Sequence, residues 1–464
     1  MSAFVAARVG AGPFRRSPIG GSGCCSGLCW SGSHSGRTIA TTTGKKSVRT
    51  GVLCMQLEAG VVNEMVSWSS WVPWATTLAG GSAALVVSLR AWLLNRMRLA
   101  LTAPTGPYVP GSIDVKCKDS DLVFRLFYPS SLSPAEVPPL DALDKWIPGV
   151  DESEFNMYVR GLLQSLGMDR RLYRILLSFI AQARIRAAPN APAAMDAGKL
   201  PLVIFSHGLH GLRSTYSVHC TELASHGFCV AAIEHNDGSA SFSVRPTGQV
   251  TEFQPVPVDA RGTEREFEFR NAQLRTRVGE VVSLLDALDR GTSLHVTSQM
   301  EKVGLAGRLD TTQLHLSGHS FGAATALELA WDLVKQGRQV QSCVALDSWL
   351  FPVSEHVFKS RVDEHVSLAF VNNSQFQWET NLQRMASFEK RVQVTLVGAS
   401  HQTQSDLLIL VPELLLRLIG MTADGMNAHE SLAISNELAL RFLLGGKLAA
   451  ESFRPSDLVA WDQL

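Results

Sequence analysis

The stretch Leu314-His315-Leu316-Ser317-Gly318-His319-Ser320-Phe321-Gly322-Ala323-Ala324-Thr325-Ala326-Leu327-Glu328-Leu329-Ala330 decides the fold. Its opening residues alternate as a strand does, and its last eight are helix formers. Between them stands Gly318-x-Ser320-x-Gly322, the pattern of a serine lifted out of a sharp strand-to-helix turn. Glycine on both sides keeps side chains from colliding there, and the positive end of the following helix points at the serine oxygen. Strand before and helix after predict that Ser320 is a nucleophile and that the chain is a serine hydrolase.

Such a serine needs a base and a group to hold that base. In this architecture the order along the chain is Ser, then Asp or Glu, then His. Gln341-Ser342-Cys343-Val344-Ala345-Leu346 reads as the next strand and runs directly into Asp347. Val392-Gln393-Val394-Thr395-Leu396-Val397 reads as a later strand and opens into Gly398-Ala399-Ser400-His401. Both candidates lie just past the carboxyl end of a strand, the edge where α/β sheets build their sites. A helix N-cap at Asp347 and a hydrogen-bonded loop histidine at His401 are the ordinary alternatives. The required order and shared edge favour the triad Ser320, Asp347 and His401. The 27 residues from Ser320 to Asp347 hold one helix and one strand, so the acid comes from the strand next after the nucleophile helix. His319 is excluded as base because adjacent side chains diverge, and His207 and His235 because they precede the serine.

An oxyanion formed in a dry pocket needs two N–H donors aimed at it. One is expected from Phe321, next after the nucleophile. The other is expected from the turn Ser206-His207-Gly208-Leu209-His210-Gly211 after the strand Leu202–Phe205, with Leu209 as donor. An ordinary glycine turn is the competing reading.

These motifs and their surroundings resemble the platelet-activating factor acetylhydrolase family (the plasma and intracellular type II lineage, lipoprotein-associated phospholipase A2). The likeness is carried by Pro201 to Leu209, Leu223-Ala224-Ser225-His226-Gly227-Phe228, Val230 to His235 and Ala345-Leu346-Asp347-Ser348-Trp349. Gly106-Pro107-Tyr108, Leu126 to Ser130, Trp146-Ile147-Pro148, and Val371-Asn372-Asn373-Ser374 through to His401 add to it. It spans about Gly106 to Leu448. The resemblance implies an α/β-hydrolase fold with a mostly parallel sheet flanked by helices, and a phospholipid substrate. It also implies calcium-independent removal of short or oxidised sn-2 acyl groups without cofactor or metal. It places nucleophile, acid, base and oxyanion donors on the same Ser320, Asp347, His401, Leu209 and Phe321. At His210 and Gly211 the chain departs from relatives that carry other small residues. A general carboxylesterase, thioesterase or lipid acyltransferase using the same triad is the second reading. A non-catalytic, membrane-anchored binding protein of this fold is the third.

Composition agrees with a globular enzyme. Lys and Arg total 42 and so do Asp and Glu, so no polyanionic partner such as nucleic acid is indicated. The eight cysteines show no metal or disulfide framework, and Cys229 and Cys343 fall in apolar strand runs expected to bury them as thiols. Residues 236–268 read as a polar loop, 270–288 as a long helix, 412–419 and 429–444 as closing helices, and 150–195 as a helical excursion. Residues 106–448 form the expected catalytic domain, and 449–464 a tail.

Residues 1–64 carry seven basic residues and no acidic one before Glu58, among many Ser, Gly and Thr. That bias suits an organellar presequence, and equally a disordered tail. From Met65 to Leu89 run 25 uncharged residues with Trp68, Trp71 and Trp74, long enough to span or embed in a bilayer. Arg90, Arg96 and Arg98 follow, so the catalytic domain is expected on the cytosolic or organelle-interior side of a membrane it contacts. The basic apolar stretch Arg170–Ile180 reads as a lid helix or a membrane-surface contact. Met1-Ser2 excludes N-myristoylation. Asn372-Asn373-Ser374 has the form of a glycosylation sequon.

Overall fold

The computed structural model describes residues 101–149, 151–165, 183–290, 294–410, 426–445 and 459–461. The presequence, the Met65–Leu89 segment, the Arg170–Ile180 stretch and the helix expected at 412–419 lie outside them.

Strands β1 (Pro110–Cys117), β2 (Leu122–Pro129), β3 (Ala188–Pro189), β4 (Leu200–Ser206) and β5 (Cys229–Glu234) open the chain's main sheet. Then come β6 (Phe242–Val244) and β7 (Val250–Glu252), followed by β8 (Leu309–His319), β9 (Ser342–Leu346), β10 (Ser367–Asn373), β11 (Arg391–Leu396) and β12 (Val459–Trp461). The helices are α1 (Glu152–Ser165), α2 (Ser217–Ser225), α3 (Glu264–Arg290), α4 (Leu294–Glu301), α5 (Phe321–Lys335), α6 (Glu355–Lys359), α7 (Glu379–Ala386) and α8 (Ala428–Leu443).

Ten strands form one sheet in the order β12-β11-β10-β9-β8-β4-β5-β2-β1-β3. Pairings from β5 through β4, β8, β9 and β10 to β11 are parallel, while β2 is antiparallel to both β1 and β5. Strands buried on both faces need apolar residues in continuous runs rather than strict alternation. β2, β5 and β9 are buried at every position. Their side chains sort by parity into two cores. Leu202, Ile204, Cys229, Ala231, Ile233, Cys343 and Ala345 face one, and Val203, Phe205, Val230, Ala232, Val344 and Leu346 face the other. Helices α3 and α5 close the first core, α2 and α8 the second. Truncating a filler such as Phe205, 1% exposed, costs about 3–5 kcal/mol by this packing. This is the α/β-hydrolase fold.

Chain order reverses at β4: the chain leaves it for β5 on one side and later returns through β8 on the other. The carboxyl ends of β4 and β8 are therefore adjacent at the sheet's switch point, where such sheets hold ligands.

Two readings need correcting. Residues 236–268 are not one irregular loop; they contain the antiparallel pair β6–β7 and the first turn of α3. Their polar residues hid strands too short to show a period. The sequon is closed: Asn372 is fully buried in β10, and its Nδ2 packs on Met385 Sδ at 3.5 Å.

Candidate functional site

The turn after β8 has the strain its glycines announce. Ser320 stands at φ 58°, ψ −116°, a region few L-residues occupy. A Cβ on Gly318 would run into the carbonyl of Gly322, and one on Gly322 into the carbonyl of Ser206. Only glycine lets α5 pack this close to β4. Ser320 N–H donates to Leu346 O at 2.9 Å, and Trp349 N–H donates to Ser320 O at 3.2 Å. The elbow is thus bound on both sides to the end of β9. Ser320 Oγ is buried and has no hydrogen-bond partner among the described residues.

Asp347 follows β9 at φ 39°. Its Oδ1 accepts from Asn373 N–H at 2.9 Å and Gln377 Nε2 at 2.7 Å, and its Oδ2 from Asn373 Nδ2 at 3.3 Å. His401, after β11, lies with Nδ1 2.6 Å from Asp347 Oδ2. Both side chains are buried. Burial pushes the Asp347 carboxyl up to about 7 against the hydrogen bonds it accepts, and pulls the His401 imidazole down to about 3. Strongly interacting groups like these titrate as one dyad. Phe376 stacks on the His401 ring, centroids 3.6 Å apart.

His319 ties these parts together. Its Nε2–H donates to His401 O at 3.0 Å, and its Nδ1 accepts from Tyr216 Oη at 2.8 Å. Tyr216 Oη in turn accepts Gly208 N–H at 3.2 Å. Asp406 makes a second link between the His401 loop and this side of the site. It accepts from Ser217 N–H, Val218 N–H and Trp146 Nε1 at 2.7, 3.2 and 3.0 Å, capping α2.

In the turn after β4 nearly every amide is accounted for. Gly208 donates to Tyr216, His210 to Ser239 O at 2.9 Å, and Gly211 to Gly208 O at 3.1 Å. Leu209 N–H, between them, donates to no acceptor among the described residues. Phe321 is the first residue of α5, whose amide has no acceptor within the helix. Gly208 backs directly onto the elbow, and a Cβ there would sit 3.3 Å from Ser320 Cβ.

Arg277, on α3, buttresses this turn from below. It donates to His207 O at 2.6 Å, pairs with Asp237 at 3.0 Å and lies 4.5 Å over the Phe321 ring. Beside it, Ser206 Oγ lies 2.8 Å from His235 Nε2, and His235 Nδ1 lies 2.7 Å from Glu280 Oε2. This is a second Ser–His–acid chain. It belongs to the scaffold, since Ser206 sits within β4 under the backbone of Gly322, with no room for an ester.

His319, Asp347 and His401 form the one metal-compatible grouping among the described residues. Both His319 nitrogens are already hydrogen-bonded, which leaves that ring no lone pair for an ion. Sequence reasoning passed over Asn373, Gln377, Tyr216, Phe376 and Arg277. They lie tens of residues or more along the chain from the groups they contact, and no local pattern marks them. Cys117, Cys220, Cys229 and Cys343 are buried free thiols, as read for the two strand cysteines.

Residues 95–462 match the family model for platelet-activating factor acetylhydrolase, isoform II. The platelet-activating factor acetylhydrolase of Bos taurus is 32% identical over 381 residues, which is 76% of this chain and 80% of that one. A putative phospholipase A2 of Schizosaccharomyces pombe is 28% identical over 297 residues, 53% of this chain and 68% of its own. A ferulic acid esterase from Streptomyces cinnamoneus shares the fold at 18% identity and a TM-score of 0.54, covering 78% of this chain and 99% of that one.

Proposed function

Because the chain belongs to the platelet-activating factor acetylhydrolase isoform II family, a family of phospholipid-ester hydrolases, we propose that it is a calcium-independent serine esterase. Its substrates are phospholipids with a short or oxidised sn-2 acyl group. The observation that carries this reading is Ser320 Oγ beside two amides, Leu209 and Phe321, none of the three with a hydrogen-bond partner among the described residues.

Ser320 Oγ attacks the sn-2 carbonyl carbon while His401 takes its proton. Asp347 holds Nδ1–H and with it the tautomer whose Nε2 is basic. The carbonyl oxygen gains the negative charge, and the Leu209 and Phe321 amides receive it; such a donor is worth about 2.7–4 kcal/mol. Collapse breaks the ester bond, and His401 returns the proton to the departing lysophospholipid oxygen. Water then attacks the acyl-serine carbonyl, again giving a proton to His401. Ser320 leaves with that proton and the carboxylic acid is released. No step calls for a cation, because amide dipoles hold the developing charge.

The test is hydrolysis of a phospholipid panel of graded sn-2 chain length, with and without a chelator. Release of short sn-2 acids unaffected by chelation is expected. Activity abolished by EDTA and restored by calcium would replace this reading with a metal-assisted phospholipase.

A further inference from the structure

Asp347 turns at φ 39°, a value few residues with a side chain adopt, so the loop it opens needs support from outside. That support comes from α7. Asn381, 1% exposed, sets its side-chain amide between two backbone groups of the loop. Leu350 N–H donates to its Oδ1 at 2.9 Å, and its Nδ2 donates to Ser348 O at 2.7 Å. Further along α7, Arg384 Nη1 donates to Leu350 O and Phe351 O at 2.7 and 3.0 Å. The helix is thereby fastened to the residues that follow the acid.

Asn381 Nδ2 has a second hydrogen, and it goes to Gln377 Oε1 at 2.9 Å. Gln377 Nε2 then donates to Asp347 Oδ1 at 2.7 Å, while Oδ2 of the same carboxylate faces His401 Nδ1. The direction of these bonds is determined. A backbone N–H only donates and a backbone carbonyl only accepts, so Leu350 and Ser348 settle which end of the Asn381 amide is which. Asn381 in turn settles Gln377, whose oxygen takes the Asn381 hydrogen and whose nitrogen is left for the acid. Turned over, Gln377 would press its own oxygen on Oδ1 with no hydrogen between them. Only a protonated Asp347 tolerates that contact, and a neutral acid no longer stabilises the imidazolium formed when Ser320 gives up its proton. Burial already raises the carboxyl, and the bonds from Asn373 and Gln377 oppose it.

We propose that Gln377 is a positioning residue of the triad that keeps Asp347 charged for His401, and that Asn381 fixes which end of the Gln377 amide meets the acid. The proposal rests on Ser320, Asp347 and His401 being the reacting triad.

The experiment records kcat/KM against pH for the full-length protein on p-nitrophenyl acetate, a water-soluble ester that leaves phospholipid recognition out of the measurement. The titratable groups facing Asp347 are His401 and His319, and no variant alters either. Gln377→Met removes the donor. The acid then holds its proton to higher pH, so the midpoint of the rising limb should move up by about one pH unit, with the alkaline plateau kept within about twofold. Gln377→Glu keeps the shape but sets a second carboxylate against the first, and its midpoint should move further the same way. Asn381→Leu, and the milder Asn381→Ser, should raise the midpoint by less than Gln377→Met does. Neither should raise it again in the Gln377→Met background, where the link they act through is gone. Gln377 is only partly buried, so its two variants decide the matter even where a change at Asn381 prevents folding. Lower plateaus with unmoved midpoints in both Gln377 variants would reduce the contact to packing and overturn the proposal. Equal shifts from an Asn381 variant with and without Gln377→Met would overturn the role given to Asn381. Asp347→Asn is the separate control. Wild-type activity in that variant would sink the triad and this inference together, whereas its loss beside unmoved Gln377 midpoints would sink the inference alone.

Discussion

Tyr216 Oη lies 2.8 Å from Nδ1 of His319, and through that contact one phenol joins the turn after β4 to the nucleophile elbow and the His401 loop. It accepts from Gly208 on one side, and His319 passes the connection to His401 O on the other. The three loops that build the site come from distant parts of the chain, so their spacing depends on links of this kind. Tyr216→Phe keeps the ring and removes the link. We expect kcat to fall roughly tenfold with KM little changed, and stability to fall by about 1 kcal/mol for the orphaned Gly208 amide. A rise in KM at unchanged kcat would mean that Tyr216 touches substrate instead of holding the loops.

On the proposed mechanism Ser320→Ala removes the covalent route. Members of such a unit are not additive, so the loss should be roughly 10⁴-fold or more, with the circular dichroism spectrum and melting curve preserved. A variant that kept more than a tenth of wild-type turnover would show that the nucleophile lies elsewhere.

On the proposed mechanism the Asp347–His401 dyad sets the pH profile. With its extra proton, held on either group, His401 cannot accept from Ser320. Burial pushes Asp347 up to about 7, so kcat/KM should rise as pH increases through that value and then level off. Asp347→Asn should remove most of the activity and this limb with it. A rate that falls as pH rises from about 6 to about 8 would be incompatible with the dyad.

Arg277 is buried with its partner Asp237, both side chains at 0% exposure. Arg277→Met leaves that carboxylate buried and unpaired, which costs about 3–5 kcal/mol. It also frees His207 O and hence the turn that carries Leu209. Urea unfolding should show the loss, and adding Asp237→Asn should recover part of it. Equal stability of wild type and the single variant would mean that water reaches Asp237 and replaces the guanidinium.

Local rules carried the reading a long way. β4, β5, β8 and β9 announced themselves as apolar runs ending in Gly, Asp or His, because a strand buried on both faces has no polar positions to spare. α3 and α8 were legible as helical stretches, and α3 starts at Glu264, nearly two turns before the Arg270 at which it was read. The two-residue alternation of a short strand is easily lost: β1, with Ser112, Asp114 and Lys116 on alternate positions, and β10 before Asn373 passed unread as strands. Asp114 is polar because Arg125 and Arg213 reach it across the sheet, at 2.7 and 2.9 Å, a relationship invisible one residue at a time.

By itself the sequence determined the elbow at Ser320, the order of Ser320, Asp347 and His401, and the small residues that let α5 approach β4. Each of these depends on neighbours a few residues away, where backbone sterics and turn chemistry act. Only the tertiary structure decided that His319 bridges Tyr216 to His401, that Asn373 and Gln377 hold Asp347, and that Ser206, His235 and Glu280 are scaffold. It alone set Asn381 of α7 against Ser348 and Leu350 in the loop that carries Asp347. Those contacts join residues from tens to more than a hundred positions apart. Hydrogen bonds and ring contacts act over a few ångströms of space, and which side chains come that close is settled by strand order and packing, not by spacing along the chain.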